Sequence, residues 1–158
     1  MQLTALMIAL LEFIVIGALP KIFFRKDGRY NLMWLMTGAP YLVTAVALLA
    51  TYLGHLACWI DLGSEASAIM QAAGALLCMI GFALMCVTIN SHRVPLALWH
   101  QDNDAPQSIV TWGAYKHIRH PFYTSFLLAL IGGVLIAPSY VTTLSLIYGI
   151  GIMTITAI

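Results

Sequence analysis

Charge is the scarcest commodity in this 158-residue chain, which holds seven Lys and Arg, six Asp and Glu and five His, so that charged residues make up 8% of the total. A soluble globular domain carries about 25% charged residues, and this scarcity excludes one. With 61% hydrophobic residues and a mean hydropathy of +0.92, the composition is that of a membrane protein. A net charge of +1 leaves no basic surface on the scale that nucleic acid requires, so nucleic acid is not an expected partner. Cysteine is also sparse: Cys58, Cys78 and Cys86 fall in or beside apolar runs without a C-x-x-C pair. That pattern offers neither a disulfide framework nor a zinc site, and the three are expected to be packing residues. No Gly-x-Ser-x-Gly elbow is present, and Ser108 and Ser125 have no context that would make either a hydrolase nucleophile. Repeats of 20 to 50 residues and low-complexity tracts are absent as well. The first nineteen residues lack a basic n-region, carry Glu12 and reach Pro20-Lys21 without a small-residue cleavage pattern, so they are expected to be a retained span and not a signal peptide.

What the chain has in abundance is apolar runs of bilayer length. A span needs about 20 such residues, and five fit: roughly 3–19, 33–53, 68–89, 121–137 and 140–158. The expected fold is all-α, a polytopic membrane helix bundle of about five transmembrane helices in a single domain covering 1–158. Its last two helices form a tight hairpin about Pro138-Ser139. Pro40 is a point of kinking in the second span, which neighbouring helices can accommodate. Gly74, Gly81 and several alanines in the third allow close helix approach. Glu12 falls near the middle of the first span, where a carboxylate costs on the order of 2.5 to 3.5 kcal/mol on insertion scales and is a functional candidate by default. The alternative is a protonated acid hydrogen-bonded inside the bundle, since nothing in the local sequence pairs with it.

The loops orient the bundle. Lys21, Arg25, Lys26 and Arg29 crowd the first, while the second, 54–67, holds Asp61 and Glu65 and no Lys or Arg. The third, 90–120, carries the remaining basic residues, and its prolines and Asp-Asn-Asp run predict a loop with a short interfacial helix about Val94 to His100. All Lys and Arg lie in loops one and three. This asymmetry predicts an integral multi-pass protein with its N-terminus outside and loops 20–32 and 90–120 cytoplasmic, placed in the plasma membrane if the source is bacterial.

Ionisable groups, aromatics and a helix start converge in Gly113-Ala-Tyr-Lys-His-Ile-Arg-His-Pro-Phe-Tyr-Thr-Ser125. Pro121 suits the first turn of a helix, because the amide it lacks would have no partner there. His120 and Arg119 therefore precede a helix whose N-terminus favours a carboxylate or phosphate. Ordinary interfacial anchoring explains the same residue types equally well.

The spacing Gly113-x-Tyr115-x-x-x-Arg119-His120-Pro121-x-Tyr123 resembles the signature of the isoprenylcysteine carboxyl methyltransferase and phospholipid methyltransferase family of integral membrane enzymes. The preceding Gln107-Ser-Ile-Val-Thr111 is similar to the segment leading into that signature. The motif covers about twenty residues, with a diffuse likeness in helix layout over most of the chain. The resemblance implies a SAM-dependent methyltransferase (SAM, S-adenosyl-L-methionine). Its cofactor contacts would be Gln107, Ser108, Ile109, Val110, Tyr115, His120, Pro121, Phe122 and Tyr123, with Arg119 as a candidate positioning residue. It also implies a lipophilic methyl acceptor reached from the bilayer, isoprenylcysteine carboxylate-like or a phospholipid amine. The family completes its pocket with an Arg and a Glu pair after the last helix. This chain reaches Ile158 inside an apolar run without them, so the expectation is a chain truncated at its C-terminal end.

Methyl transfer from a sulfonium asks little of acid–base groups and much of positioning and water exclusion. Trp112, Tyr115, Phe122 and Tyr123 supply π-faces worth roughly 0.5 to 2 kcal/mol each to a cation. A metal is not expected: His117 and His120 are three apart, but Pro121 argues against one helix through both, and zinc needs three or four caged ligands. Two other readings remain open. Membrane reductases of the sterol type carry a similar Arg-His-Pro-x-Tyr segment and use NADPH, and a non-catalytic or truncated membrane subunit would keep the motif as an anchor.

Overall fold

The computed structural model describes residues 2–17, 28–30, 32–60, 62–92 and 111–157. Among these the protein is all-helical, with five α-helices: α1 (Leu3–Gly17), α2 (Leu32–Tyr52), α3 (Gly63–His92), α4 (Pro121–Ile136) and α5 (Tyr140–Ala157). A one-turn 3-10 segment, Gly113–Lys116, precedes α4. The expected short helix about Val94 to His100 lies outside the described residues. Among those described, α3 is the helix long and apolar enough to cross a membrane, over Gly63–Ser91 at a mean hydropathy of 2.3.

Each helix boundary has a local cause. Pro40 is fully buried inside α2, which continues through it without a break. α2 ends where Gly54 takes φ +79°, letting the Gly54 amide donate to the Thr51 carbonyl and His55 to Ala50 at 2.8 Å. That is a Schellman stop, and only a residue tolerant of the left-handed region fits it cheaply. α3 begins at Gly63, earlier than the apolar run that starts at Ala68, because Glu65 in its first turn complements the helix dipole. The α4–α5 hairpin turns through Ala137-Pro138-Ser139. There the Ser139 Oγ accepts from the Thr142 amide at 3.2 Å while the Thr142 Oγ1 accepts from the Ser139 amide at 3.1 Å, a reciprocal cap.

The most extensive pairing is α3 against α4. A Cβ built on Gly74 would lie 2.6 Å from the Gly132 carbonyl oxygen, and one on Gly132 would lie 2.6 Å from the Cys78 Sγ. The two backbones are therefore nearly in contact. Seven residues along α3 and seven back along α4, a Cβ on Gly81 would meet the Ser125 carbonyl at 2.9 Å, so the helices run antiparallel. α1 runs parallel to α3: the Gln2 amide donates to the Gln71 Oε1 at 2.8 Å, and the Glu12 Oε1 faces Gly81 with the same separation in sequence.

Two apolar clusters form the core. Ala5, Leu6, Ala9, Leu48, Cys78 and Ile136 make one, and Tyr41, Met85, Phe122, Phe126, Leu130 and Met153 make the other, at the motif end. Small polar residues are buried among them, including Thr44, Thr88, Ser125 and Thr142, whereas Val46, Ile69, Leu144, Ile147 and Ile155 point outward and are exposed.

Candidate functional site

The site is built on the start of α4. His120 takes φ −128° and ψ 68°, outside the helical region that a residue before proline avoids, and its side chain does not cap the helix. Its carbonyl accepts the Thr124 amide at 3.0 Å, so the helix ladder begins at His120 itself. The backbone setting leaves its imidazole exposed at the rim, where it stacks on Tyr123 with ring centroids 5.6 Å apart and planes within 14°. Behind this pair Pro121 is fully buried and Phe122 is 8% exposed. Phe122 lies 6.0 Å from Phe126, which in turn makes an edge contact with Tyr41 at 4.7 Å. Rim and core are thus alternate sides of one helical turn, and core packing fixes the angle at which His120 and Tyr123 are presented.

The 3-10 segment supplies the facing wall. Gly113 sits at φ +63°, and a Cβ there would collide with the Ser91 Oγ, so this backbone passes directly over the end of α3. Trp112 fastens it by donating its indole N–H to the Ser91 carbonyl at 3.1 Å, capping an orphan carbonyl at the helix end. Tyr115 is thereby held half-buried against the site. Burial, and secondarily the neighbouring Tyr123, push its phenol up to about 12, from an ordinary value of 10.0. It therefore stays protonated at any physiological pH, a neutral O–H and not a base.

Between this segment and α3 opens an apolar groove of about 470 Å³, walled by Ile80, Leu84 and Val87 on one side and by Ala114, His117 and Ile118 on the other. Arg119 is exposed beside His120, with Lys116 and His117 also at this edge. The structure therefore brings Tyr115, His120, Pro121, Phe122 and Tyr123 to one place and sets Arg119 at its margin. Gln107, Ser108, Ile109 and Val110 lie outside the described residues. Ser125 is fully buried and its hydroxyl donates to the Phe122 carbonyl at 2.7 Å, which uses it to brace the same turn. Among the described residues no group of three or more His, Cys, Asp or Glu is placed to hold a metal ion.

Sequence reasoning missed two parts of this arrangement, the Trp112–Ser91 fastening and the groove along α3. A glycine followed by an aromatic pattern signals a turn, but not which helix the turn lands on. The chain has no significant match among protein-family models, curated proteins or solved structures.

Proposed function

We propose that the protein is an integral membrane methyltransferase that uses SAM and methylates a lipophilic acceptor, of isoprenylcysteine carboxylate or phospholipid amine type, at the cytoplasmic face. The observation that carries this reading is the stacked His120–Tyr123 pair at the start of α4, set against a half-buried, protonated Tyr115. These groups suit an amino acid-bearing sulfonium: a helix start with Arg119 and His120 beside it for the carboxylate, aromatic faces for the cation, and a neutral hydroxyl donor. Bound there, SAM would supply an activated methyl group. The chain's own contribution is to hold donor and acceptor in line and to keep water out, with the apolar groove admitting the acceptor's hydrocarbon portion from the side. No protein base is required when the acceptor is already a carboxylate.

The membrane placement rests on the length and hydropathy of α3 and on the distribution of side chains, apolar outward and small polar inward. In a multi-pass bundle with loops 20–32 and 90–120 cytoplasmic, cysteine probes introduced at Asp61 and Asp102 are expected to label from outside and from the cytoplasm respectively. Both positions lie outside the described residues. Cytoplasmic labelling at Asp61 would overturn this topology.

Calorimetry on the detergent-solubilised protein, expressed from its full reading frame, tests the activity. Saturable SAM binding is expected, together with product inhibition by S-adenosylhomocysteine. Saturable NADPH binding without SAM binding would replace this reading with a reductase of the sterol type, and binding of neither would leave the motif as an anchor.

A further inference from the structure

The acid inside the bundle stands apart from the site just described. Glu12 of α1 is 0% exposed, and neither of its carboxyl oxygens has a hydrogen-bond partner among the described residues. Its surroundings are set by Gly81 of α3. The point where a Gly81 Cβ would sit is 3.2 Å from the Glu12 Oε1 and 2.9 Å from the Ser125 carbonyl oxygen of α4, with the Leu128 Cβ at 3.3 Å. Glycine thus opens the space into which the carboxyl fits, and the other polar atom bordering that space is the Ser125 carbonyl oxygen. An ionised carboxyl in this buried space would have no hydrogen-bonding partner or cation among the described residues to offset its charge, and a carbonyl oxygen on its border. A protonated acid carries no charge to offset and is far cheaper to bury. Among the described residues of the other helices, Tyr41 of α2 and Cys78 of α3 are the titratable side chains within electrostatic reach. Both are neutral donors in their ordinary state, and α4 contributes Ser125 and Leu128.

We propose that Glu12 is a proton-binding site inside the bundle, and that α1 is seated on α3 through the neutral acid. The proton is the cation that such a place accepts: a metal ion would need several oxygen ligands and the room to arrange them, whereas a proton needs only the carboxyl itself. The same acid is the second polar group, after Gln2, that α1 sets against α3 in the parallel register. Seating of α1 therefore depends on occupancy by a proton.

Infrared spectroscopy reads this directly, because the chain has two glutamates and the other, Glu65, is exposed. In protein carrying Glu65→Gln and glutamate labelled with ¹³C at the side-chain carboxyl, Glu12 is the one labelled acid. The expected spectrum at neutral pH shows the isotope-shifted C=O stretch of a protonated carboxylic acid, displaced again in D2O and unaffected by added NaCl or KCl. A carboxylate stretch from Glu12 at neutral pH would overturn the proposal. Loss of the acid band on adding Na⁺ or K⁺ at constant pH would overturn it in favour of a metal-cation site. Assignment does not require a Glu12 variant to fold. SAM affinity in Glu12→Gln, expected within twofold of the parent, separates this site from the one at α4.

Discussion

His120→Gln and Tyr123→Phe are each expected to weaken SAM binding by about 0.5 to 3 kcal/mol, the range for losing a hydrogen bond or leaving its partner unsatisfied in a desolvated site. Both substitutions keep the size and most of the amphipathic character of the original side chain. If the motif merely anchors the chain at the membrane surface, both variants will match the parent in calorimetry. Tyr123→Phe carries a second readout that does not depend on the cofactor. Tyr123 helps to raise the Tyr115 phenol, so removing the Tyr123 hydroxyl is expected to move the Tyr115 titration down from about 12. The larger contribution, burial, is untouched, and the midpoint should stay above 10.0. Loss of SAM affinity with that modest downward shift marks a local change at the site. Loss of affinity with Tyr115 fully back at its ordinary value means that the 3-10 segment has come away from α3.

Gly132→Leu is expected to have the largest effect on the fold. A side chain there meets the Cys78 Sγ at 2.6 Å and the Gly74 carbonyl oxygen at 2.7 Å, and the second cannot yield without moving a helix backbone. Overpacking typically costs 1 to 3 kcal/mol and more where backbone blocks the way, so the variant should lose several degrees or more in thermal midpoint by circular dichroism in detergent. Gly151→Leu is the control, because a Cβ at Gly151 meets nothing within 4 Å. Equal stability of the two variants would show that α3 and α4 do not depend on their close approach.

The helices were legible in sequence because each is a long apolar run closed by punctuation with a stereochemical meaning. Pro121 begins α4, and Pro138-Ser139 divides α4 from α5. The start of α3 was not, since hydropathy marks where bilayer-compatible residues begin, whereas a helix begins where its first turn can be satisfied. Residues 63–67 include two serines and a glutamate yet are helical for that reason. At the site, the motif spacing selected Tyr115, His120 and Tyr123, and those three do converge. The spacing could not show that Trp112 reaches back 21 residues to Ser91, because nothing local in either residue encodes the other. The environment of Glu12 was equally hidden. It depends on Gly81, which lies 69 residues away and is informative through the side chain it lacks.

α3 spans 30 residues, about 45 Å at ~1.5 Å per residue. The hydrocarbon core of a bilayer is about 30 Å thick. In the proposed placement the excess length must tilt or project, and the end of α3 that projects toward the motif carries Ser91, to which Trp112 and Gly113 are fastened. The facing wall of the site is therefore mounted on a post, the end of α3, while His120 and Tyr123 stand at the start of α4, only 16 residues long. A thicker bilayer draws the post in and a thinner one tilts it over. Because α3 and α4 are packed backbone to backbone at Gly74 and Gly132, the two walls of the site would answer such a change together.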